Sequence, residues 1–236
     1  MPQLDPSIDP ALERTPTVLL VDTSGSMGEE VSPASDEEPS PRIDQVNEGL
    51  SIFKEEISSM NEVEREVDVS LVSFGGGVTV EEEFTPITEW EPPKLTESGR
   101  TPMGEAIDKA IDIVEERKQT YNDEGVPYKR PFIWVLTDGK PTDMKPNDDR
   151  WDEIHQRIQD GEDQKSFALF IMAVGADAKE SIKPLHPQRT IALDDGKFRE
   201  YFEFLSASVE QVSSSVDEDD VDIADEAKDF EEVFQL

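Results

Sequence analysis

The chain has 236 residues, no cysteine and a formal net charge of −34, from 56 acidic and 22 basic side chains. This length suits one domain with short flanking segments, and the lack of cysteine excludes disulfides, thiolate metal sites and a cysteine nucleophile. The negative charge excludes general attraction to nucleic acid, because phosphates would be repelled. No apolar run of about eighteen residues occurs, so we expect no membrane-spanning helix.

The acidic residues are spread along the whole chain rather than confined to one tail. This distribution is typical of a surface adapted to high salt, where self-repulsion is screened, and it predicts a halophilic source. Residues 1–15 lack the basic start and apolar stretch of a secretory signal. Together with the lack of cysteine, this favours a cytoplasmic location.

The first third of the chain predicts a strand, a loop and a helix. Residues 1–15 form a polar lead-in, and the apolar run 17–24 is typical of a strand buried on both faces. The acidic insert 29–41 is rich in proline and serine and predicts a loop. Apolar residues then recur at helical spacing, at Ile43, Val46, Leu50, Phe53, Ile57 and Met60.

The middle of the chain predicts two strands, a helix and another buried strand. Residues 67–77 form a strand that ends at three glycines, and the charged segment 78–87 is its partner at a sheet edge. Pro102 opens the helix. Residues 132–141 repeat the design of the first strand, because an apolar run is again followed by a polar turn, here Thr-Asp-Gly.

The last third alternates in the same way. Its predicted elements are helices at 148–160 and 177–185, strands at 167–175 and 190–195, and a helix at 198–212. We assign the domain to 16–212 and predict that the acidic segment 213–236 is a flexible tail. Strands alternating with helices predict an α/β fold with a doubly wound, mostly parallel central sheet and helices on both faces.

Polar residues follow two of the buried strands. Asp22, Ser24 and Ser26 come after the first, and Asp138 comes after the strand at 132–137. In open α/β sheets, ligands bind beyond the carboxyl ends of the strands, so we expect these residues to meet at one edge. Carboxylates and hydroxyls are hard oxygen donors that suit Mg²⁺, with Mn²⁺ or Ca²⁺ as alternatives.

The sequence "DTSGSM" resembles the D-x-S-x-S element of the von Willebrand factor A (vWA) domain. The metal-ion-dependent adhesion site of that family also needs a threonine before a helix and an aspartate after a central strand. "SGRTPMGEAI" supplies Thr101 and "VLTDGKPTD" supplies Asp138. The resemblance implies a Rossmann-like fold in which Ser24 and Ser26 bind the cation through their hydroxyls. It also implies that Asp22, Asp138 and Thr101 bind it directly or through water.

Further segments, "DQVNEGL", "TPMGEAI", "LTDGKPTD" and "FEFLSASV", are similar to the TerY-like branch, intracellular proteins linked to tellurite resistance and stress gene clusters. The similarity covers roughly 17–212. It implies a protein-interaction module and not an enzyme, whose cation binds an Asp or Glu carboxylate of a partner. Kinases, phosphatases or other stress-cluster proteins would be such partners, and the oligomeric state stays open. The insert 29–41 and the tail 213–236 depart from the pattern.

Three alternatives remain open. Thr101 before a proline is also an ordinary helix start, and Asp-Gly an ordinary turn, so each motif alone could be turn chemistry. The acidic tail could itself occupy the site as a built-in regulator. A hydrolase is the third alternative, but "DTSGS" departs from the aspartic protease motif, and His155 and His186 are not placed convincingly for a serine triad.

Overall fold

The computed structural model describes residues 10–33, 38–215 and 234–235. Its strands are β1 Thr15–Asp22, β2 Glu30–Val31, β3 Ser40–Pro41, β4 Val67–Phe74, β5 Val78–Pro86, β6 Phe132–Thr137, β7 Ala168–Val174, β8 Thr190–Leu193 and β9 Phe234–Gln235. Its α-helices are α1 Arg42–Ser59, α2 Met103–Glu124, α3 Asp149–Asp163, α4 Ala176–Ile182 and α5 Phe198–Ser214.

The strands of the main sheet follow the order β5-β4-β1-β6-β7-β8-β9. The five inner strands are parallel, and the edge strands β5 and β9 run antiparallel to their neighbours. Helices α1 and α5 cover one face, and α2, α3 and α4 cover the other. The predicted doubly wound, mostly parallel α/β fold is therefore confirmed. Within the described ranges, no helix is long and apolar enough to cross a membrane.

The central strand β1 shows why a nearly continuous apolar run was needed. All of its residues are buried, with Val18 and Leu20 in the core under α2 and Leu19 and Val21 in the core under α1 and α5. A strand covered by helices on both faces has no side that faces water. Its central residues are accordingly apolar, and polar residues occur only at its start, Thr15 and Thr17, and at its last position, Asp22.

The structure differs from the sequence-based boundaries at both ends of the domain. Arg14 and Thr15, assigned above to the lead-in, are buried, and Arg14 donates hydrogen bonds to the carboxylate of Asp68 on β4. At the other end, helix α5 continues to Ser214, and residues 234–235 form β9 against β8. The rest of the tail, 216–233 and 236, lies outside the described residues.

The insert between β1 and α1 also differs from the expected plain loop. Strands β2 and β3 within it pair in antiparallel fashion, with Glu30 opposite Pro41 and Val31 opposite Ser40. The amide of Gln45 on α1 donates to the carbonyls of Val31 and Ser40, at 3.1 and 3.3 Å. Part of this acidic insert is therefore anchored to the domain, and residues 34–37 lie outside the described part.

Helix α1 follows the insert in the chain and packs closely against α5. Gly49 of α1 faces Phe202 of α5, and a Cβ atom at Gly49 would lie 2.0 Å from Cδ2 of that ring. The ring is itself buried in the core, so it has little room to move. Glycine at this position thus allows the close approach of the two helices.

We predict that Gly49→Ala destabilises the protein by about 1–2 kcal/mol. Overpacking a filled core costs about 1–3 kcal/mol, and the better helix propensity of alanine offsets only about 1 kcal/mol of it. Urea unfolding monitored by circular dichroism measures the difference. The control is Ser51→Ala, at an exposed position of the same helix, which should stay within about 0.5 kcal/mol of wild type. Equal stability of the two variants would contradict the packing argument.

Candidate metal centre

The parallel pairing of β1 and β6 brings their carboxyl ends together. Val21 is paired with Leu136, so the next residues, Asp22 and Thr137, lie side by side. The hydroxyl of Thr137 donates to Oδ2 of Asp22 at 2.5 Å, and the backbone amide of Ser24 donates to Oδ1 at 2.7 Å. Both oxygens of this buried carboxylate are thereby oriented.

The two serines connect Asp22's loop to Asp138. The hydroxyl of Ser26 donates to Oδ1 of Asp138 at 2.7 Å, and it lies 3.2 Å from the hydroxyl of Ser24. Ser24 is buried, and the side chain of Asp138 is only 3% exposed. The hydroxyl of each serine therefore faces a small polar cluster at the end of β1 and β6.

Thr101 borders the same cluster. A Cβ atom built at Gly139 would lie 3.3 Å from Oγ1 of Thr101 and 3.8 Å from Oδ2 of Asp22. A side chain at Gly139 would therefore enter the space that these two oxygens border. The structure thus brings together all five residues singled out from the sequence, Asp22, Ser24, Ser26, Thr101 and Asp138.

Glycine contacts hold the loop before Thr101 against the loop after β1. The amide of Gly25 donates to the carbonyl of Gly99 at 3.1 Å, and the amide of Ser98 donates to the carbonyl of Thr23 at 2.6 Å. Gly99 has φ +65°, and a Cβ atom there would lie 2.4 Å from Cα of Gly76. Gly99 is therefore needed for the close approach of this loop to Gly76.

The loop after β6 fixes Thr101 from the other side. The amide of Thr142 donates to the carbonyl of Thr101 at 2.9 Å. The carboxylate of Asp143 accepts hydrogen bonds from the amides of Gly104 and Glu105, at 3.2 and 2.8 Å, and so caps the start of α2. The segment "LTDGKPTD" therefore contributes Asp138 and also positions Thr101.

Sequence reasoning missed three residues of this region. Thr137 and Asp143 both lie within the segment "LTDGKPTD". Thr137 could have been predicted because it is the last residue of a buried strand, and Asp143 because an aspartate can cap a neighbouring helix. Arg42 was missed because it opens α1, beyond the insert, and only the fold places its guanidinium against Asp138, at 3.3 Å.

Burial makes the two carboxylates costly to ionise. It raises the pKa of Asp22 from 3.8 to about 6, although the hydrogen bond from Thr137 partly offsets the rise. Burial also raises the pKa of Asp138, against the opposing effects of the Ser26 hydrogen bond and the charge of Arg42. Two poorly solvated carboxylates at one point favour a cation there.

The donor set fits a hard divalent cation. It consists of two carboxylates and three hydroxyls, and such oxygens suit Mg²⁺, which keeps several waters in its octahedron. Across the described part of the chain, no three or more His, Cys, Asp and Glu side chains cluster as metal ligands. A cation at this centre would consequently depend on the hydroxyls of Ser24, Ser26 and Thr101.

The histidines lie in different surroundings. Nδ1 of His155 is 2.7 Å from the carbonyl of Leu185, and Nε2 of His186 is 3.0 Å from the carbonyl of Leu169. Leu169 is near the amino end of β7, whereas the candidate centre lies at the carboxyl ends of the strands. The structure therefore does not bring His186 to Asp22 or Asp138.

A family model decides the relationship of this chain to known proteins. The model of the von Willebrand factor type A domain matches residues 17–140, more than half of the chain. The chain belongs to the von Willebrand factor type A family. The match begins in β1 and ends just after Asp138, so it spans all five residues of the candidate centre. Domains of this family commonly mediate protein–protein interactions.

Several solved structures share the vWA fold at low sequence identity. The vWF domain of the type V pili tip protein Mfa5 from Porphyromonas gingivalis has a TM-score of 0.61 and 10% identity, over 88% of this chain and 98% of that one. The PilB minor pilin from Streptococcus sanguinis has a TM-score of 0.54 and 14% identity, over 86% and 62%. The ArnB paralog VWA2 from Sulfolobus acidocaldarius has a TM-score of 0.51 and 17% identity, over 84% and 45%.

These similarities bear on the fold only. The vWA chain described here spans less than two thirds of the PilB minor pilin and less than half of the Sulfolobus protein. No curated protein matches its sequence. The role of the candidate centre therefore has to be argued from the residues themselves.

We predict that the metal-free protein becomes less stable as the pH rises from about 4 to about 6, because Asp22 has a raised pKa in the folded state. The folded protein keeps this proton up to about pH 6, whereas the unfolded chain releases it near 3.8. The unfolded state therefore binds fewer protons in this window, so the free energy of unfolding falls as pH rises, by about 3 kcal/mol in total.

Asp22→Asn removes this titration. In protein treated with EDTA, the variant should be more stable than wild type at pH 7, and the difference should shrink toward zero at pH 4. Urea unfolding at several pH values measures it, and the exposed variant Asp44→Asn controls for the change in net charge. A difference between Asp22→Asn and wild type that stays constant with pH would contradict the prediction.

Proposed function

We propose that this vWA domain is a metal-dependent protein-interaction module. A divalent cation, Mg²⁺ in first place, would be held by Asp22, Ser24, Ser26, Thr101 and Asp138 and would bind a carboxylate of a partner protein. The observation that carries the proposal is the convergence of the five oxygen-bearing side chains on one point at the edge of the sheet.

The chain's own residues would do three things at this centre. The hydroxyls and carboxylates would hold the cation, and the cation would supply the positive charge that attracts a carboxylate. Thr137 and the amide of Ser24 would keep Asp22 oriented. Burial of Asp22 and Ser24 would exclude water from the inner side of the cation, which strengthens electrostatic attraction there.

The net charge of the protein explains why a cation would be needed. A partner carboxylate has to approach a molecule of net charge −34. A bound divalent ion would be the largest local positive charge, and molar salt would screen the remaining repulsion. We therefore infer that the protein works in the high-salt cytoplasm of a halophile.

The TerY-like segments supply the setting that we propose. They support a role in a tellurite-resistance or stress-response assembly, with a kinase, phosphatase or other stress-cluster protein as the partner. This setting rests on the similarity of short sequence segments to that branch. We infer that the module binds its partner and does not itself catalyse a reaction. The five side chains would serve a cation, and in the described part of the chain the rings of His155 and His186 contact backbone carbonyls instead.

The alternative in which the tail regulates the centre gains one specific observation. Residues 234–235 pair with β8, with Phe234 opposite Leu193 and Gln235 opposite Ala192. They thus form the outermost strand on that side of the sheet, and β7 and β8 lie between them and β6. The pairing supports a C-terminal segment that docks on the same sheet as the centre. The tail's carboxylates at 216–233, which the sequence analysis considered as site occupants, lie outside the described residues.

We predict that Mg²⁺ or Mn²⁺ raises the melting temperature of wild type by about 5–10 °C at saturating concentration in molar salt. Binding to the folded state alone stabilises it, by about 2.7 kcal/mol at one hundred times Kd. Ser24→Ala and Thr101→Val should lose most of this rise, and Ser51→Ala should keep it. If all four proteins respond alike, the cations only neutralise the acidic surface and the proposal is wrong.

We predict next that a carboxylate displaces water from the bound cation. With Mn²⁺ loaded, a short peptide containing one glutamate flanked by lysines should reduce the water-proton relaxation enhancement. The matched peptide with glutamine should not, because an amide oxygen is a weaker ligand for the cation. The reduction should vanish in Ser24→Ala. Equal effects of the two peptides would remove the carboxylate from the proposal but leave the cation site standing.

A further inference from the structure

Arg42, the first residue of α1, joins the candidate centre to the loop after β8. Its Nη1 lies 3.3 Å from Oδ2 of Asp138 and donates to the carbonyl of Ser26 at 3.0 Å. Its Nε donates to Oδ1 of Asp195 at 2.8 Å, and Nη2 donates to Oδ2 of the same carboxylate. Glu29 also accepts a hydrogen bond from Nη1, at 3.0 Å.

These contacts are unequal. Asp195 holds the guanidinium through two donors, whereas Asp138 receives a single longer contact. A two-donor pair between arginine and a carboxylate is stronger and geometrically more specific than a single contact. The Arg42 side chain is only 12% exposed, so it has few other positions to adopt. Asp195 is therefore the carboxylate that fixes where the guanidinium stands.

The loop that carries Asp195 is in turn held by the insert. Gly196 has φ +84°, and a Cβ atom there would lie 2.0 Å from the carbonyl oxygen of Ser32, just after β2. The insert and the loop after β8 thus touch directly, and Arg42 follows the insert in sequence. Any partner that moves this contact would move Asp195 relative to Arg42.

We propose that Arg42 couples the cation centre to the Asp194–Gly196 loop, and that Asp195 sets the cation affinity by holding the guanidinium back from Asp138. The inference rests on the proposed cation site and adds its regulation. Without Asp195, the guanidinium has Asp138 and Glu29 as its remaining carboxylate partners and moves toward Asp138. Because one carboxylate cannot fully serve two cations, the divalent ion then binds more weakly.

Asp194, the residue before Asp195, provides a matched control. It lies on the same loop, carries the same charge and pairs with Lys197 at 3.8 Å instead of with Arg42. Asp194→Asn and Asp195→Asn therefore change the net charge equally, at almost the same place. Only the second removes a contact to the guanidinium.

Calorimetric titration with Mn²⁺ in molar salt tests the coupling. We expect Asp195→Asn to raise the Kd at least about fivefold, the low end of coupling between sites, and Asp194→Asn to raise it less than about twofold. In an Arg42→Gln background, the two substitutions should have equal effects. Unfolding by circular dichroism confirms that each variant is folded, and the comparison of the two single variants does not require Arg42→Gln.

Equal effects of Asp194→Asn and Asp195→Asn in the wild-type background would overturn the inference. So would an excess effect of Asp195→Asn that persists in Arg42→Gln, because it would not run through the guanidinium. In both cases Mn²⁺ binding that is lost in Ser24→Ala would leave the proposed function intact. If wild type binds no Mn²⁺ at this centre, the proposed function fails and the coupling fails with it.

Discussion

The parallel pairing of β1 with β6 is the constraint on which the candidate centre depends. It aligns Val21 with Leu136, so the polar residues that follow both strands emerge together at one edge. Burial on both faces fixes this register, because a one-residue slip would turn the residues that face α2 toward α1 and α5. The contact between the loops of Gly25 and Gly99 and the capping of α2 by Asp143 then position Thr101 next to these residues.

This convergence is energetically unfavourable because it places two negative charges where water solvates them poorly. Asp22 and Asp138 are both withdrawn from water, and burial raises the pKa of each. Hydroxyl donors and Arg42 compensate part of the charge, since hydrogen bonds and a nearby cation stabilise carboxylates. The compensation is shared, because Arg42 is bound mainly by Asp195. The side chains of the centre are therefore held in place, but the centre keeps a negative charge that a bound cation would neutralise.

Local sequence patterns were enough for the fold and for most of the centre. Apolar runs that end in Asp-Thr-Ser and Thr-Asp-Gly indicate buried strands and the carboxyl edge, and periodic stripes indicate the helices. Thr101 needed the family resemblance, because a threonine before proline looks like any helix start. The pair of Arg42 and Asp195 could not be predicted, since its members are 153 positions apart and meet only after β8 and α1 are packed. The pairing of β9 was missed because its acidic surroundings favoured a flexible tail.

The two edges of the main sheet are protected in different ways. Strand β5 carries charged, exposed glutamates, Glu81 and Glu83, which discourage pairing with another molecule. Strand β8 is short and apolar, and the backbone of residues 234–235 covers it. A protein shortened before β9 would expose the hydrogen-bonding groups of Ala192 and Leu193 as an open template. Its solutions would then self-associate with increasing concentration, and more so in the molar salt that screens its charge.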